Sequence, residues 1–194
     1  MRGARATKQS QILPPLRYAQ GRNDEEDLRN ISSVSSKMTV LQLISHSPEQ
    51  TQHLGICLGK LAQAGDVFLL TGNLGSGKTC LTQGIAWGLD VKEYAFSPSF
   101  VIVREYHGRL PLYHIDLYRL NRIEEIVDLG LDEYLYDEGA CAVEWAEKGM
   151  AVLPKEHLLI SLGYISDSER TISLEPKGHR YTQVLKTLNL DLKK

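Results

Sequence analysis

The stretch from Asp66 to Leu89, DVFLLTGNLGSGKTCLTQGIAWGL, limits what this chain can fold into more than any other. Inside it Gly72-Asn73-Leu74-Gly75-Ser76-Gly77-Lys78-Thr79 reads G-x-x-x-x-G-K-T, the spacing of a phosphate-binding loop. Such a string is short enough to arise by chance, so its flanks decide. Val67-Phe68-Leu69-Leu70 is a continuous apolar run, the pattern of a strand buried on both faces. Leu81, Ile85 and Leu89 recur at every fourth position and make one stripe of a helix. Strand, glycine loop and helix thus follow in the order the motif requires. Gly72, Gly75 and Gly77 let backbone N–H groups curl around phosphate oxygens, and the helix N-terminus adds positive potential. Lys78 then reaches the β- and γ-phosphates, and the Thr79 hydroxyl holds magnesium. ATP with Mg2+ is the expected ligand pair. The competing reading is an ordinary glycine-rich strand–helix turn. The intact Gly77-Lys78-Thr79 triplet in this context decides against it.

A chain of 194 residues suits one domain with a real core. Residues 1–37 read as a separate, disordered tail. Arg2, Arg5, Lys8, Arg17 and Arg22 precede an acidic cluster and then a serine-rich run, with few apolar residues and no period. A transit peptide fits the Arg and Ser content but not the acidic cluster. An RNA-binding tail, or an upstream extension before a start at Met38, are the other readings. Residues 38–194 form the phosphate-loop domain. The net charge of −2 argues against a dedicated nucleic-acid binder. No apolar run approaches the span of a membrane helix. Cys57, Cys80 and Cys141 are far apart and odd in number, so they predict reduced thiols in a cytoplasmic protein rather than a disulfide framework or metal site.

The elements around the loop can be placed in order. Thr39 to Ile44 predicts a first strand. Ser47-Pro48-Glu49-Gln50 predicts a helix start, with Ser as the cap, Pro at the first helical position and Gln three residues on. Leu54, Cys57, Leu58 and Leu61 continue that helix until Gly65. Val101 to Tyr106 alternates, turns at His107-Gly108-Arg109 and continues from Leu112 to Leu117, a β-hairpin. Asn121 to Glu124 starts a helix with Ile123, Ile126 and Val127 on one face. Ala140 to Val143, Leu158 to Leu162 and Thr171 to Leu174 predict strands. Tyr181, Val184, Leu185 and Leu188 line a closing helix.

A phosphate loop needs a second group to orient magnesium and another to position water. Acids at strand ends are the candidates: Asp116 in HIDLYRL and Glu144 after Cys141-Ala142-Val143. For each, the bland alternative is a surface acid at the end of a strand. Ser97 and Ser99, in a loop fixed by Pro98, are placed to contact a γ-phosphate or simply to form a turn. Trp145 and Tyr118 read as packing residues, and His107 and His114 as structural. Cys80 adjoins Thr79 in the first helical turn, where the N-terminal potential would lower a thiol pKa; a small packed residue is the alternative.

Four blocks together resemble the TsaE (YjeE) family, the ATPase component of bacterial threonylcarbamoyladenosine synthesis on tRNA. They are GNLGSGKT, SPSF followed by VIVREY, YHIDLYRL, and VEWAEKG followed by VLP. The resemblance spans roughly Ser47 to Leu174. It implies that Thr79 and Glu144 hold magnesium, that Asp116 is required for hydrolysis, and that Ser97 to Phe100 form a switch loop. It also implies TsaD and TsaB as partner subunits, with tRNA reached only indirectly. Asn73 stands where the family usually has an acid, and Ser99 where it usually has Thr. The expected fold is α/β, a three-layer P-loop NTPase-like arrangement with a mixed, mostly parallel sheet and an antiparallel hairpin. The alternatives are a P-loop kinase acting on a small molecule and a non-catalytic nucleotide-dependent scaffold.

Overall fold

The structure, a computed structural model, describes residues 40–191. The expected tail at residues 1–37 lies outside them. The elements in order are β1 (Leu41–Ser45), α1 (Pro48–Leu61), β2 (Val67–Thr71), α2 (Lys78–Gly88), β3 (Val103–His107), β4 (Pro111–Asp116), α3 (Ile123–Val127), α4 (Asp132–Leu135), β5 (Ala140–Glu144), β6 (His157–Tyr164), β7 (Arg170–Lys177) and α5 (His179–Asp191). A short 3₁₀ turn, Ala146–Lys148, follows β5.

The strands form one sheet in the order β1-β7-β6-β2-β5-β4-β3. The centre is parallel, with β2 between β6 and β5 and with β4 beside β5. Its strands are continuous apolar runs because both faces are covered. Among the described residues only β3 and β7 run against the rest, each in an antiparallel hairpin with its neighbour. The sheet is therefore mixed, with most strands pointing one way, as expected.

One face carries α1, α2 and α5 over Phe68, Leu70, Ala142 and Ile160. The other carries α3, α4 and the 3₁₀ turn over Leu69, Ile115 and Val143. The alternation of Phe68 and Leu70 against Leu69 is the strand period of two, here apolar in both phases.

Helix α1 begins as its sequence predicts. The Ser47 hydroxyl accepts from the Gln50 N–H at 3.2 Å, and Pro48 occupies the first turn. The Gln50 amide returns the bond one residue earlier, accepting from the His46 N–H. Helices α1 and α2 cross at Gly55, Gly59, Gly84 and Gly88. A Cβ on Gly84 would lie 2.1 Å from the Gln52 carbonyl oxygen, and one on Gly59 would lie 2.3 Å from that of Ile85. Backbone packs on backbone there, which no larger residue allows.

Several boundaries differ from expectation. The first strand starts at Leu41, with Leu41, Leu43 and Ser45 inward. Helix α1 ends at Leu61, and Gly65 (φ 79°) turns the chain into β2 rather than closing the helix. Strand β3 starts at Val103, because the Val101 and Ile102 N–H groups are drawn back to the Pro98 carbonyl. Val127 faces solvent; only Ile126 of α3 is buried, since a helix of five residues covers one side chain well.

Candidate nucleotide site

The loop between β2 and α2 has the backbone that its glycines permit. Gly72, Gly75 and Gly77 all have positive φ, and a Cβ on Gly72 would sit 2.3 Å from the Leu162 carbonyl oxygen of β6. Gly77 caps α2 in the left-handed conformation with no side-chain bond to the helix N–H groups. Those N–H groups are the donors a phosphate would take. From outside, the Arg170 guanidinium of β7 donates to the Gly75 carbonyl at 3.2 Å.

Lys78 is buried and folded over the loop. Its ammonium donates to the Gly72 carbonyl at 2.6 Å and to that of Asn73 at 3.0 Å, and lies 3.8 Å from the centre of the Trp145 ring. Burial lowers its pKa, opposed by the carboxylates of Glu144, Glu147 and Asp116.

Register brings the two acids together. Strands β4 and β5 are parallel neighbours with Asp116 opposite Glu144, and Leu70 of β2 is opposite Glu144 on the other side. Both acids therefore stand at the carboxyl ends of the central strands, where open α/β sheets bind ligands. Thr79 Oγ1 donates to Glu144 Oε2 at 2.9 Å. The other oxygen, Oε1, is 2.7 Å from His114 Nε2. Asp116 Oδ2 accepts from the Ser97 hydroxyl at 2.5 Å and from the Ser99 hydroxyl at 2.7 Å, while Oδ1 accepts from the Tyr118 N–H at 2.9 Å.

Lys78, Thr79, Ser97, Ser99, Asp116, Tyr118 and Glu144 line a cleft of about 480 Å³, together with Leu74, Phe100, Arg119 and Trp145. The structure thus gathers Lys78, Thr79, Ser99, Asp116 and Glu144 in one place. Asn73 and Leu74 stay exposed on the loop, and Ser76 is buried beneath it. The Ser97 and Ser99 hydroxyls are turned onto Asp116. Cys80 does not have the lowered pKa that its place in the helix suggests. Its thiol donates to the Pro48 carbonyl at 3.3 Å, and burial pushes it up to about 11, with Glu49 adding and Arg170 opposing.

The sequence reading missed two residues. Trp145, taken for packing, lies under the Lys78 ammonium. His114, set aside as structural, touches Glu144. A signal was present for His114: it precedes Asp116 by two positions, and a period of two places both on one face of β4.

The residues fit magnesium. Thr79 and Glu144 offer hard oxygen donors side by side at the mouth of the phosphate loop. No group of three or more His, Cys, Asp or Glu among the described residues forms a complete metal cage. Magnesium is commonly held by one or two protein oxygens, with phosphate and water completing its shell.

Residues 45–172 match the family model described as "Threonylcarbamoyl adenosine biosynthesis protein TsaE". A Treponema pallidum (strain Nichols) protein named "tRNA threonylcarbamoyladenosine biosynthesis protein TsaE" is 40% identical over 134 residues, covering 69% of this chain and 99% of the relative. A Bacillus subtilis (strain 168) protein of the same name is 42% identical over 144 residues, covering 74% of this chain and 90% of the relative. Among solved structures, the crystal structure of YdiB from Bacillus subtilis is similar with a TM-score of 0.70 and 37% sequence identity, covering 81% of this chain and 99% of that one.

Proposed function

We propose a function from one premise: the chain belongs to the TsaE family. It is the ATP-binding and ATP-hydrolysing subunit of the machinery that makes threonylcarbamoyladenosine at position 37 of tRNA. Its turnover drives the cycle of a TsaD–TsaB complex, and it acts in the cytoplasm. The observation that carries this reading is the Thr79–Glu144 contact at 2.9 Å, made where a phosphate loop opens and one strand away from Asp116.

The residues divide the work. Backbone N–H groups of Gly72 to Thr79 bind phosphate oxygens, and Lys78 neutralises charge on them. Thr79 and Glu144 hold magnesium. When bound, that ion would supply charge stabilisation to the phosphates. Asp116 orients the attacking water. Ser97 and Ser99, bonded to the same Asp116 oxygen, connect that step to the loop that presents Phe100 at the surface. A net charge of −2 suits a subunit that leaves tRNA to its partners.

A small-molecule kinase would need a lid over its acceptor. The segment after Glu144 is a 3₁₀ turn leading to Leu153, which is buried in the core. That anchoring argues against a mobile lid.

The test is reconstitution with TsaD, TsaB and the enzyme that forms threonylcarbamoyl-adenylate, followed by nucleoside analysis of the tRNA. Modification over several turnovers should require this chain and fail with Lys78→Ala. Equal modification without the chain, or with that variant, overturns the reading.

A further inference from the structure

His114 is fully buried, yet only one of its two ring nitrogens has a partner. Nε2 lies 2.7 Å from Glu144 Oε1, and Nδ1 has no hydrogen-bond partner. A histidine kept in a core for packing would be expected to satisfy both nitrogens or to be replaced by an apolar residue. Here the ring is held by one bond to one acid, and it lies tilted by 35° to the Tyr106 ring, with ring centres 6.4 Å apart. A carboxylate accepts only, so the proton in this contact sits on Nε2.

The other Glu144 oxygen is the one that meets Thr79. His114 therefore occupies the inner oxygen and leaves the outer one facing the phosphate loop. Strand pairing explains how. His114 is opposite Ala142 and Asp116 is opposite Glu144, so the imidazole rises from β4 beside the smallest side chain available and reaches the acid one step up the neighbouring strand.

We propose that His114 is a positioning residue for Glu144: its Nε2–H pins Oε1 and so aims Oε2 at the magnesium corner beside Thr79. This rests on the reading that Thr79 and Glu144 hold the metal. Groups that hydrogen-bond a metal-ligating side chain typically contribute 10–100-fold to metal affinity or activity.

The experiment measures Mn2+ affinity by electron paramagnetic resonance, on the full chain with ATP present. ATP affinity without metal is measured alongside. Gln carries an N–H about where Nε2 lies, whereas Leu keeps the bulk and loses the donor. His114→Leu should weaken Mn2+ binding by roughly 10–100-fold, with metal-free ATP affinity unchanged. His114→Gln should restore the affinity to within about threefold of wild type, well below that 10–100-fold loss. Glu144→Gln separates the two readings. If it leaves Mn2+ affinity intact, Glu144 is not a ligand and the metal reading itself falls. If it abolishes binding while His114→Leu does not, only the positioning role is refuted. Should His114→Leu fail to fold, ¹⁵N spectra of the wild-type chain decide, with the His114 signals assigned by their loss in His114→Gln. Those signals should report a proton on Nε2 and move when Mg2+ is added to the ATP-bound protein. A proton on Nδ1 alone, or signals indifferent to Mg2+, overturns the proposal.

Discussion

Gly84→Ala should destabilise the domain, although helix propensity says the reverse. In a helix interior, alanine is favoured over glycine by about 1 kcal/mol. Position 84, however, faces α1. The added Cβ would lie 2.1 Å from the Gln52 carbonyl oxygen and 2.9 Å from the Gly55 Cα, against the 3.4 Å at which ordinary contact begins. The helices must separate by about 1 Å, and the obstacle is backbone, which has no rotamer to change. Leu54 and Leu58 on α1 and Leu81 and Ile85 on α2 are fully buried in the same seam, so that separation loosens their contacts as well. Overpacking typically costs about 1–3 kcal/mol, and a backbone clash belongs at or above the top of that range. The net loss is about 2 kcal/mol, or roughly 4–8 °C in Tm for a domain this size. Urea and thermal unfolding measure it. Gly55→Ala should act alike, and the double variant should lose less than the sum, because the first methyl already opens the seam. A Gly84→Ala protein as stable as wild type, or more so, refutes the reasoning.

Asp116→Asn should cut ATP turnover at least about tenfold, or 1.4 kcal/mol of barrier. Its Tm should stay near wild type, because the remaining oxygen still accepts from Tyr118 and the serine hydroxyls can turn to accept from the amide; full turnover would remove Asp116 from the site. Cys80, with its thiol pushed up to about 11, should alkylate slowly at neutral pH and faster as pH rises. A neutral-pH rate like that of free cysteine would contradict its burial. Burial also holds the His157 imidazole below its ordinary value, the Pro154 carbonyl opposing and the Lys177 ammonium adding to the shift. The unfolded chain then binds that proton more readily, so the His157 contribution is intact above about pH 6.5 and is lost as pH falls below it. His157→Gln should flatten the stability slope on that acid side, and an unchanged slope would exclude His157 as its source.

Much of the site was legible because its residues interrupt patterns. Asp116 and Glu144 end apolar strands, and an acid there needs a reason. Lys78 and Thr79 belong to a spaced motif whose flanks are themselves periodic. What the sequence hides is pairing. The leucine stripes of α1 and α2 say that each helix buries a face, but not that Gly55 and Gly59 meet Gly84 and Gly88; that depends on a crossing no local signal encodes. Ser97 and Ser99 announce hydroxyls in a turn, and a hydroxyl suits a phosphate as well as a carboxylate. Only the fold turns them onto Asp116. His114 sat in a mostly apolar strand, where one polar residue among apolar neighbours draws no attention until its partner is known. The pairing of β1 with β7 joins distant parts of the chain in the sheet, which strand propensity does not report.

The shared oxygen of Asp116 has a genetic consequence. One atom receives the hydroxyls of the surface loop and belongs to a carboxylate of the candidate nucleotide cleft. If the cleft hydrolyses ATP and the loop reports on it, as proposed, no allele at codon 116 can separate loss of catalysis from loss of signalling; both phenotypes would arrive together, and a screen scoring either one would recover the same mutants. Separation-of-function alleles belong at codons 97 and 99. There the carboxylate survives and only its tether is cut, so on the proposed function a cell would keep ATP turnover and lose its coupling to the loop.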